Sequence, residues 1–147
     1  MSSSNRIPTS ALLLGCAGLL PFLACTAALH LGMALPGIGE PRRALIVYAV
    51  AILSFLGGVR WGVALGYENQ QQAGRDYALA VIPALVGWAA ALMSAPADLW
   101  TLAVAFLLVG LLDYGMSCRT VAPEWYGNLR LALSAAVTLA LAAAALA

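Results

Sequence analysis

Five long runs of apolar residues, separated by short polar breaks, constrain this chain more than any other feature of its sequence. The runs cover residues 8–35, 44–67, 77–95, 99–118 and 129–147. A helix that crosses a bilayer needs about 20 mostly apolar residues, and each run is near that length. Because the breaks are short, consecutive helices should be antiparallel neighbours. The pattern predicts an all-α polytopic membrane protein, a compact bundle of about five transmembrane helices in one domain, 1–147.

The composition favours the same class of protein. Hydrophobic residues make up 63% of the chain and charged residues only 9%, with a mean hydropathy of +0.93. A soluble domain carries about 25% charged residues. The net charge of +1 provides no basic field that would attract nucleic acid. We therefore expect the lipid bilayer as the main partner and no nucleic-acid partner.

The distribution of arginine predicts the orientation, because loops on the inner side of a membrane are enriched in positive charge. All basic residues are arginine. If the N-terminus is inside, four arginines lie on the inner side and two on the outer side: Arg6, Arg75, Arg119 and Arg130 against Arg42 and Arg43. This predicts that the N-terminus is inside and the C-terminus outside.

The second apolar run contains a small residue at every fourth position. These residues are Ser54, Gly58, Gly62 and Gly66. Small residues at this spacing line one side of a helix and allow another helix to approach closely. We interpret them as a helix-packing stripe.

Arg60 lies in the same run. Placing a charged side chain at the centre of a membrane-spanning helix costs about 2.5–3.5 kcal/mol on insertion scales. Asp113, in the fourth run, is at a similar depth, because the two helices run in the same direction and the residues lie roughly 9 and 7.5 Å from their inner ends. We predict a hydrogen-bonded ion pair between Arg60 and Asp113 in the inner leaflet. It could fix the register of the helices, or form a site for a proton, a quinone or a lipid headgroup.

Arg60 and the glycine stripe should face opposite ways, since position 60 is about 200° around the helix from Gly58. If protein covered both faces, the second helix would be central in the bundle.

The last break and the fifth run carry interfacial and polar residues. Pro123, Trp125, Tyr126 and Arg130 could anchor this segment at lipid headgroups or present an epitope to a partner. Beyond it, Arg130, Ser134 and Thr138 recur every four residues, and we expect this stripe to face other helices. His30, near the outer end of the first run, is interpreted as a polar residue satisfied near the interface.

Residues for metal or covalent chemistry are sparse. The chain has one histidine and three widely spaced cysteines, Cys16, Cys25 and Cys118, and it lacks zinc-protease, serine-hydrolase and nucleotide-loop motifs. We expect no metal and no cofactor, and we expect the protein not to be an enzyme.

Several segments resemble a known family. The motif SFLGGVRWG at 54–62 resembles the signature of small uncharacterised bacterial membrane proteins related to the eukaryotic transmembrane protein 69. The segments NRIP at 5–8, LGCAGLLPF at 14–22 and PEWYGNLRLALS at 123–134 are also similar to that family. The resemblance implies an inner-membrane location, and either histidine or arginine at position 60, so a hydrogen-bonding or cationic role there. It implies no established activity and no catalytic residues.

Two functions fit these features. The leading hypothesis is a non-enzymatic accessory or assembly component of a larger inner-membrane complex, since the loops are short and the glycine stripe favours close packing. The alternative is a small transporter, or a protein that binds quinone or lipid through Arg60 and Asp113. A larger complex and a second copy of the chain both remain open as partners.

Overall fold

The computed structural model describes residues 6–118 and 122–147 of the chain. The described residues form five α-helices: α1 Thr9–His30, α2 Pro41–Ala64, α3 Gln70–Ala91, α4 Ala97–Cys118 and α5 Glu124–Ala145. The predicted all-helical membrane bundle is thus confirmed. Asn5, in one of the motifs, and Arg119, in the charge count, lie outside the described residues.

Four of the described helices, α1, α2, α4 and α5, are long and apolar enough to cross a membrane. Helix α3 differs because it begins at Gln70, ahead of the predicted run that begins at residue 77. Its first two turns contain Gln70, Arg75 and Asp76, and these polar residues lower its hydropathy. The remainder of α3 packs along α2 in antiparallel order.

Side-chain caps fix the beginnings of α2 and α3. The carboxylate of Glu40 accepts hydrogen bonds from the backbone N–H groups of Arg42 and Arg43, and Pro41 occupies the first helical position. The amide oxygen of Asn69 likewise accepts from Gln71 and Gln72 at the beginning of α3. Such caps satisfy backbone donors that have no partner within the helix.

The five helices form a closed ring. Each helix packs against its neighbours in chain order, and α5 packs against α1 to complete the circle. Helices α2 and α4 also meet across the interior of the ring. The pairs α4–α5 and α2–α3 have the most extensive contacts.

Aromatic residues fill the middle of this ring. Phe22 is almost fully buried, and its ring meets those of Tyr48 and Phe106 edge-on, with centroids 5.0 and 5.5 Å apart. Edge-on packing of this kind is favoured by the charge distribution of aromatic rings. Phe22 therefore links α1 to α2 and to α4.

Polar side chains also join the helices. Tyr48 donates to the carbonyl oxygen of Gly18, Thr26 to that of Ala140, and Thr138 to that of Ala103. His30 Nε2 lies 3.1 Å from the carbonyl oxygen of Ala143, which confirms its interpretation as a satisfied polar residue. These hydrogen bonds are favourable in an apolar surrounding because neither group would find water there.

Glycine allows the closest approach between α2 and α3. A side-chain carbon at position 57 would overlap the carbonyl oxygen of Ala80, which belongs to the backbone and cannot rotate away. Two turns earlier on α2, Val50 lies against Gly87 of α3, where a side-chain carbon would be in ordinary contact at 3.5 Å. The two helices are therefore in contact over at least two turns.

The first prediction concerns this contact. Gly57→Ala should destabilise the protein by about 1–3 kcal/mol, because overpacking forces the two backbones apart. The measurement is the thermal unfolding midpoint in detergent. Gly58→Ala is the matched control, since a side chain there meets nothing within 4 Å. Equal midpoints for the two variants would contradict the α2–α3 packing.

The second prediction concerns the orientation of the bundle in the membrane. If all five helices cross and the positive-inside rule holds, the termini lie on opposite sides, with the C-terminus outside. Alkaline phosphatase fused after Ala147 should then be active in a bacterial host, and a fluorescent protein fused there should be dark. The reverse pattern would mean that α3 does not cross or that the bundle is inverted.

Candidate functional site

Four charged side chains meet inside one end of the bundle, which we call the Arg60 end. They are Arg60 of α2, Asp76 of α3, Asp113 of α4 and Arg130 of α5. Their side chains are 9%, 13%, 3% and 13% exposed, so all four are largely removed from solvent. We call this group the Arg60 network.

The contacts in the network form a chain. Arg60 Nη1 donates to Asp76 Oδ1 at 3.3 Å, and Arg130 Nε donates to Asp113 Oδ2 at 3.0 Å. Arg60 Nη2 lies 3.9 Å from Asp113 Oδ1, which joins the two pairs. Two positive and two negative charges balance, as buried charges require.

The predicted pair of Arg60 and Asp113 is therefore present as an ion contact that is too long for a hydrogen bond. Each residue instead forms its hydrogen bond with a second partner, Asp76 for Arg60 and Arg130 for Asp113. The reason for the first is that α3 begins earlier than predicted, so its second turn carries Asp76 into the bundle. Arg130 reaches Asp113 because the polar stripe of α5 faces α4.

Tyr67 extends the network into the turn between α2 and α3. Its hydroxyl donates to Asp76 Oδ2 at 2.8 Å. Burial raises the pKa of Tyr67, and its hydrogen bond to Asp76 and the negative charge of that carboxylate raise it further. The phenol therefore stays protonated and keeps donating at neutral pH.

Two guanidinium nitrogens in the network are buried without an acceptor. Neither Arg60 Nη2 nor Arg130 Nη2 has a hydrogen-bond partner among the described residues. One turn further along α5, the buried hydroxyl of Ser134 is also without one in the described part of the chain. Unpaired buried donors are costly and therefore need an explanation.

The predicted helix-packing stripe faces away from the bundle. Ser54, Gly58, Gly62 and Gly66 are all exposed, and a side chain at position 58 or 62 would meet nothing within 4 Å. Helix α2 ends at Ala64, so Gly66 lies beyond the helix. The glycine of α2 that packs within the bundle is Gly57, and α2 is one member of the ring, with an outer face at Gly58 and Gly62 that no described helix covers. The expectation that Arg60 and Gly58 face opposite ways is confirmed.

The residues of the predicted interfacial segment do not all lie at the surface of the bundle. Pro123 precedes α5, and its carbonyl oxygen accepts a hydrogen bond from Ser117. Trp125 and Tyr126 lie in the first turn of α5, partly buried, with their rings edge-on and 6.1 Å apart. Arg130 is directed inward to Asp113 and is not available to headgroups.

The polar stripe of α5 faces another helix, as predicted, and that helix is α4. Arg130 contacts Asp113, Ser134 packs against Gly110, and Thr138 donates to the carbonyl oxygen of Ala103.

The hydropathy pattern does not identify Asp76, because it places this residue in the break before the third run. Asn69, followed by three glutamines, is a helix-beginning signal that would have included Asp76 in α3.

A pair of opposite charges also lies at the other end of the bundle, where Arg42 of α2 contacts the buried Asp98 of α4. The hydropathy pattern does not identify this pair either, since it places both residues in breaks. Helices α2 and α4 are thus joined by opposite charges at both ends.

The network can hold charge and donate hydrogen bonds. Among the described residues, no group of three or more histidine, cysteine, aspartate or glutamate side chains is placed to hold a metal ion. The described cysteines are free thiols. The groups present at the Arg60 end include guanidinium and hydroxyl groups that donate hydrogen bonds.

The described residues form five helices, each antiparallel to the next, and four of these helices are long and apolar enough to span a bilayer. These features define a multi-pass helical membrane protein. A family model described as a protein of unknown function (DUF3429) matches residues 7–146. The chain belongs to this family.

Its relationship to transmembrane protein 69 is also confirmed. The chain is 34% identical over 132 residues to Transmembrane protein 69 of Xenopus tropicalis, an alignment that covers 86% of this chain and 50% of that protein. The chain thus spans about half the length of the curated relative that it matches. No solved structure matches the chain.

The third prediction tests the Arg60 network. Asp113→Leu should destabilise the protein by about 3–5 kcal/mol, because it leaves Arg130 and one side of Arg60 buried without a counter-charge. Adding Arg130→Leu should restore part of the loss, since Arg60 and Asp76 then remain as a neutral pair. Unfolding midpoints of the single and double variants measure this coupling.

Glu68→Gln is the matched control, because it removes an exposed carboxylate from the same end of the bundle. Its unfolding midpoint should not change. Strictly additive losses for Asp113→Leu and Arg130→Leu would show that the two side chains do not act as a pair.

Proposed function

We propose that this protein is a non-enzymatic accessory or assembly component of a larger membrane complex, and that it docks onto a transmembrane helix of its partner through the outer face of α2. The observation that carries the proposal is the position of the glycine stripe. Gly58 and Gly62 lie on successive turns of a helix and contact no other helix in the described chain.

The glycines that are closely packed within the bundle provide a comparison for Gly58 and Gly62. Gly57, Gly110 and Gly127 each lie where a neighbouring segment of the chain approaches too closely for a larger side chain. Glycine in a helix interior costs about 1 kcal/mol relative to alanine. At Gly58 and Gly62 no contact within the described chain offsets that cost, and a helix from a partner would do so.

The shape of this face suits a helix. Ser54, Gly58 and Gly62 form a shallow groove, and the large side chains of Phe55 and Trp61 stand beside it, 65% and 46% exposed. Apolar exposure alone is ordinary for a surface that faces lipid. The distinguishing feature is the groove of small residues, which increases van der Waals contact with a second helix over contact with lipid.

A structural role for the charges fits this proposal better than transport through Arg60 and Asp113. Both residues are buried, 7% and 2% exposed, and each is hydrogen-bonded within the chain. Such an arrangement fixes the register of four helices and so keeps the outer face of α2 rigid. As part of the proposal, the protein resides in the bacterial inner membrane.

The fourth prediction tests the docking face. A photo-reactive amino acid at position 58 or 62, in the full chain in native-lipid particles, should cross-link to one membrane protein of defined mass. The double variant Gly58→Leu/Gly62→Leu should reduce recovery of that partner about tenfold or more, because the leucines fill the groove and cost the complex at least about 1.4 kcal/mol. Its unfolding midpoint should not fall, since nothing in the described bundle contacts these positions.

The matched control is Gly74→Leu, with a photo-reactive residue at position 74 as the corresponding probe. Gly74 is exposed on α3, and a side chain there meets nothing within 4 Å. This control should retain the partner and give no cross-link. Cross-links from 58 and 62 only to a second copy of the chain would sink the accessory role, as would particles that contain one chain alone.

A further inference from the structure

A groove lies on the outside of the bundle between α3 and α4, with a volume of about 450 Å³. Helices α3 and α4 pack less extensively than the pairs α2–α3 and α4–α5. The buried Pro83 and Ala105 belong to the wall of this groove, as do the exposed Ile82 and Val104. All of its lining residues belong to α3 or α4, so its occupant is independent of the docking face on α2.

The wall of the groove suits a hydrocarbon chain. It is apolar almost throughout, and its one hydroxyl, that of Thr101, already donates to the sulfur of Met93. On α4 the wall extends from Trp100 to Leu112, roughly 18 Å at 1.5 Å per residue. The hydrocarbon core of a bilayer is about 30 Å thick. The groove therefore covers little more than one leaflet, which matches an acyl chain and is too short for a transmembrane helix.

An exposed cation lies beyond one end of the groove. Arg75 is the only basic residue within the described helices α3 and α4. It precedes Leu79 by four residues and Ile82 by seven, so the three residues lie on one face of α3. Helical side chains lean toward the N-terminus of their helix, which directs Arg75 toward the headgroups at the Arg60 end.

The charge of Arg75 is not neutralised by the described part of the chain. The carboxylates of α3 and α4 are paired with arginines of α2 and α5, and they are Asp76, Asp98 and Asp113. No ion pair among the described residues includes Arg75. A free cation at headgroup level attracts anionic lipid, so the charge complements a negative headgroup.

The α4 side of the groove is open at the level of Arg75. Leu79 and Leu112 mark the same end of the groove, because α3 and α4 are antiparallel. One turn beyond Leu79 is Arg75, and one turn beyond Leu112 is Gly115. A side chain at position 115 would meet nothing within 4 Å. A glycerol backbone and its phosphate thus have room beside Arg75.

We propose that the groove between α3 and α4 binds one acyl chain of an anionic phospholipid, with Arg75 at the phosphate. The lipid belongs to the leaflet at the Arg60 end. Its chain lies along the apolar wall toward Trp100, and its headgroup lies beside Gly115. The arginine supplies the preference for negative charge, and the groove supplies the affinity for the chain.

The fifth prediction is a preference for an anionic phospholipid. The full chain in an uncharged detergent is titrated with dioleoyl phosphatidylglycerol or dioleoyl phosphatidylcholine, and bound lipids are counted by native mass spectrometry. Phosphatidylglycerol should bind about fivefold more tightly, the usual effect of one arginine on an anionic lipid. Dihexanoyl phosphatidylglycerol should bind at least about tenfold more weakly than the dioleoyl form, because its short chains bury fewer methylene groups.

One pair of variants tests the headgroup contact. Arg75→Gln should remove the preference for phosphatidylglycerol over phosphatidylcholine. Arg43→Gln is the matched control, because Arg43 is also an exposed arginine but lies at the other end of the bundle. This control should keep the preference of the unmodified chain.

A second pair of variants tests the position of the acyl chain. Val104→Trp fills the groove from α4 and should weaken the binding of dioleoyl phosphatidylglycerol about tenfold, since the indole displaces several methylene groups. Val81→Trp is the matched control, because Val81 is exposed on α3 and does not line the groove. It should bind the lipid like the unmodified chain.

The unfolding midpoints of all four variants should equal that of the unmodified chain, since each substituted side chain is exposed. Equal affinities for the two headgroups, or an unchanged preference in Arg75→Gln, would overturn the contact between Arg75 and the phosphate. If Val104→Trp binds as tightly as Val81→Trp, or the short-chain lipid as tightly as the long-chain one, the groove does not hold the chain and the proposal is wrong.

Discussion

The burial of two arginines in an apolar bundle is the constraint on which the rest of this structure depends. Neither Arg60 nor Arg130 could remain charged inside without a carboxylate nearby. Asp113 contacts both, and Asp76 supplies the second negative charge. Because the four residues belong to four different helices, charge balance fixes the relative depth of α2, α3, α4 and α5. Apolar packing alone does not specify depth in this way, since one turn of leucines is much like the next.

The helices around this network approach one another in two ways. On the inside of the ring, glycines at 57 and 110 bring backbones close to a neighbouring helix, and Phe22 fills the space that remains. On the outside of α2, glycines at 58 and 62 leave a groove with nothing in it from the described chain. One helix therefore uses adjacent residues for two surfaces, and Gly57 and Gly58 differ in role although they are neighbours in sequence.

The helical membrane fold could be predicted because length and hydropathy determine it almost alone. Arg60 and Asp113 could be identified because a charge in an apolar run is conspicuous. Asp76 could not, since it lies in a polar segment of low hydropathy, at the beginning of the helix that Asn69 caps. The direction of the glycine stripe could not be predicted either. Periodicity shows that Gly58 and Arg60 face opposite ways, but which face meets the ring depends on contacts with α3 and α4.

The order of residues in the Arg60 network has a consequence for biosynthesis. Helix α2 leaves the ribosome with Arg60 before Asp76 of α3 has been made, and Asp113 follows only with α4. Arg130 comes last and completes the balance. An early helix thus enters the membrane with a charge that only later helices neutralise. The chain should accordingly be held beside the insertion machinery until α5 is synthesised, so a truncated product would be recognisable to quality control by its uncompensated charge.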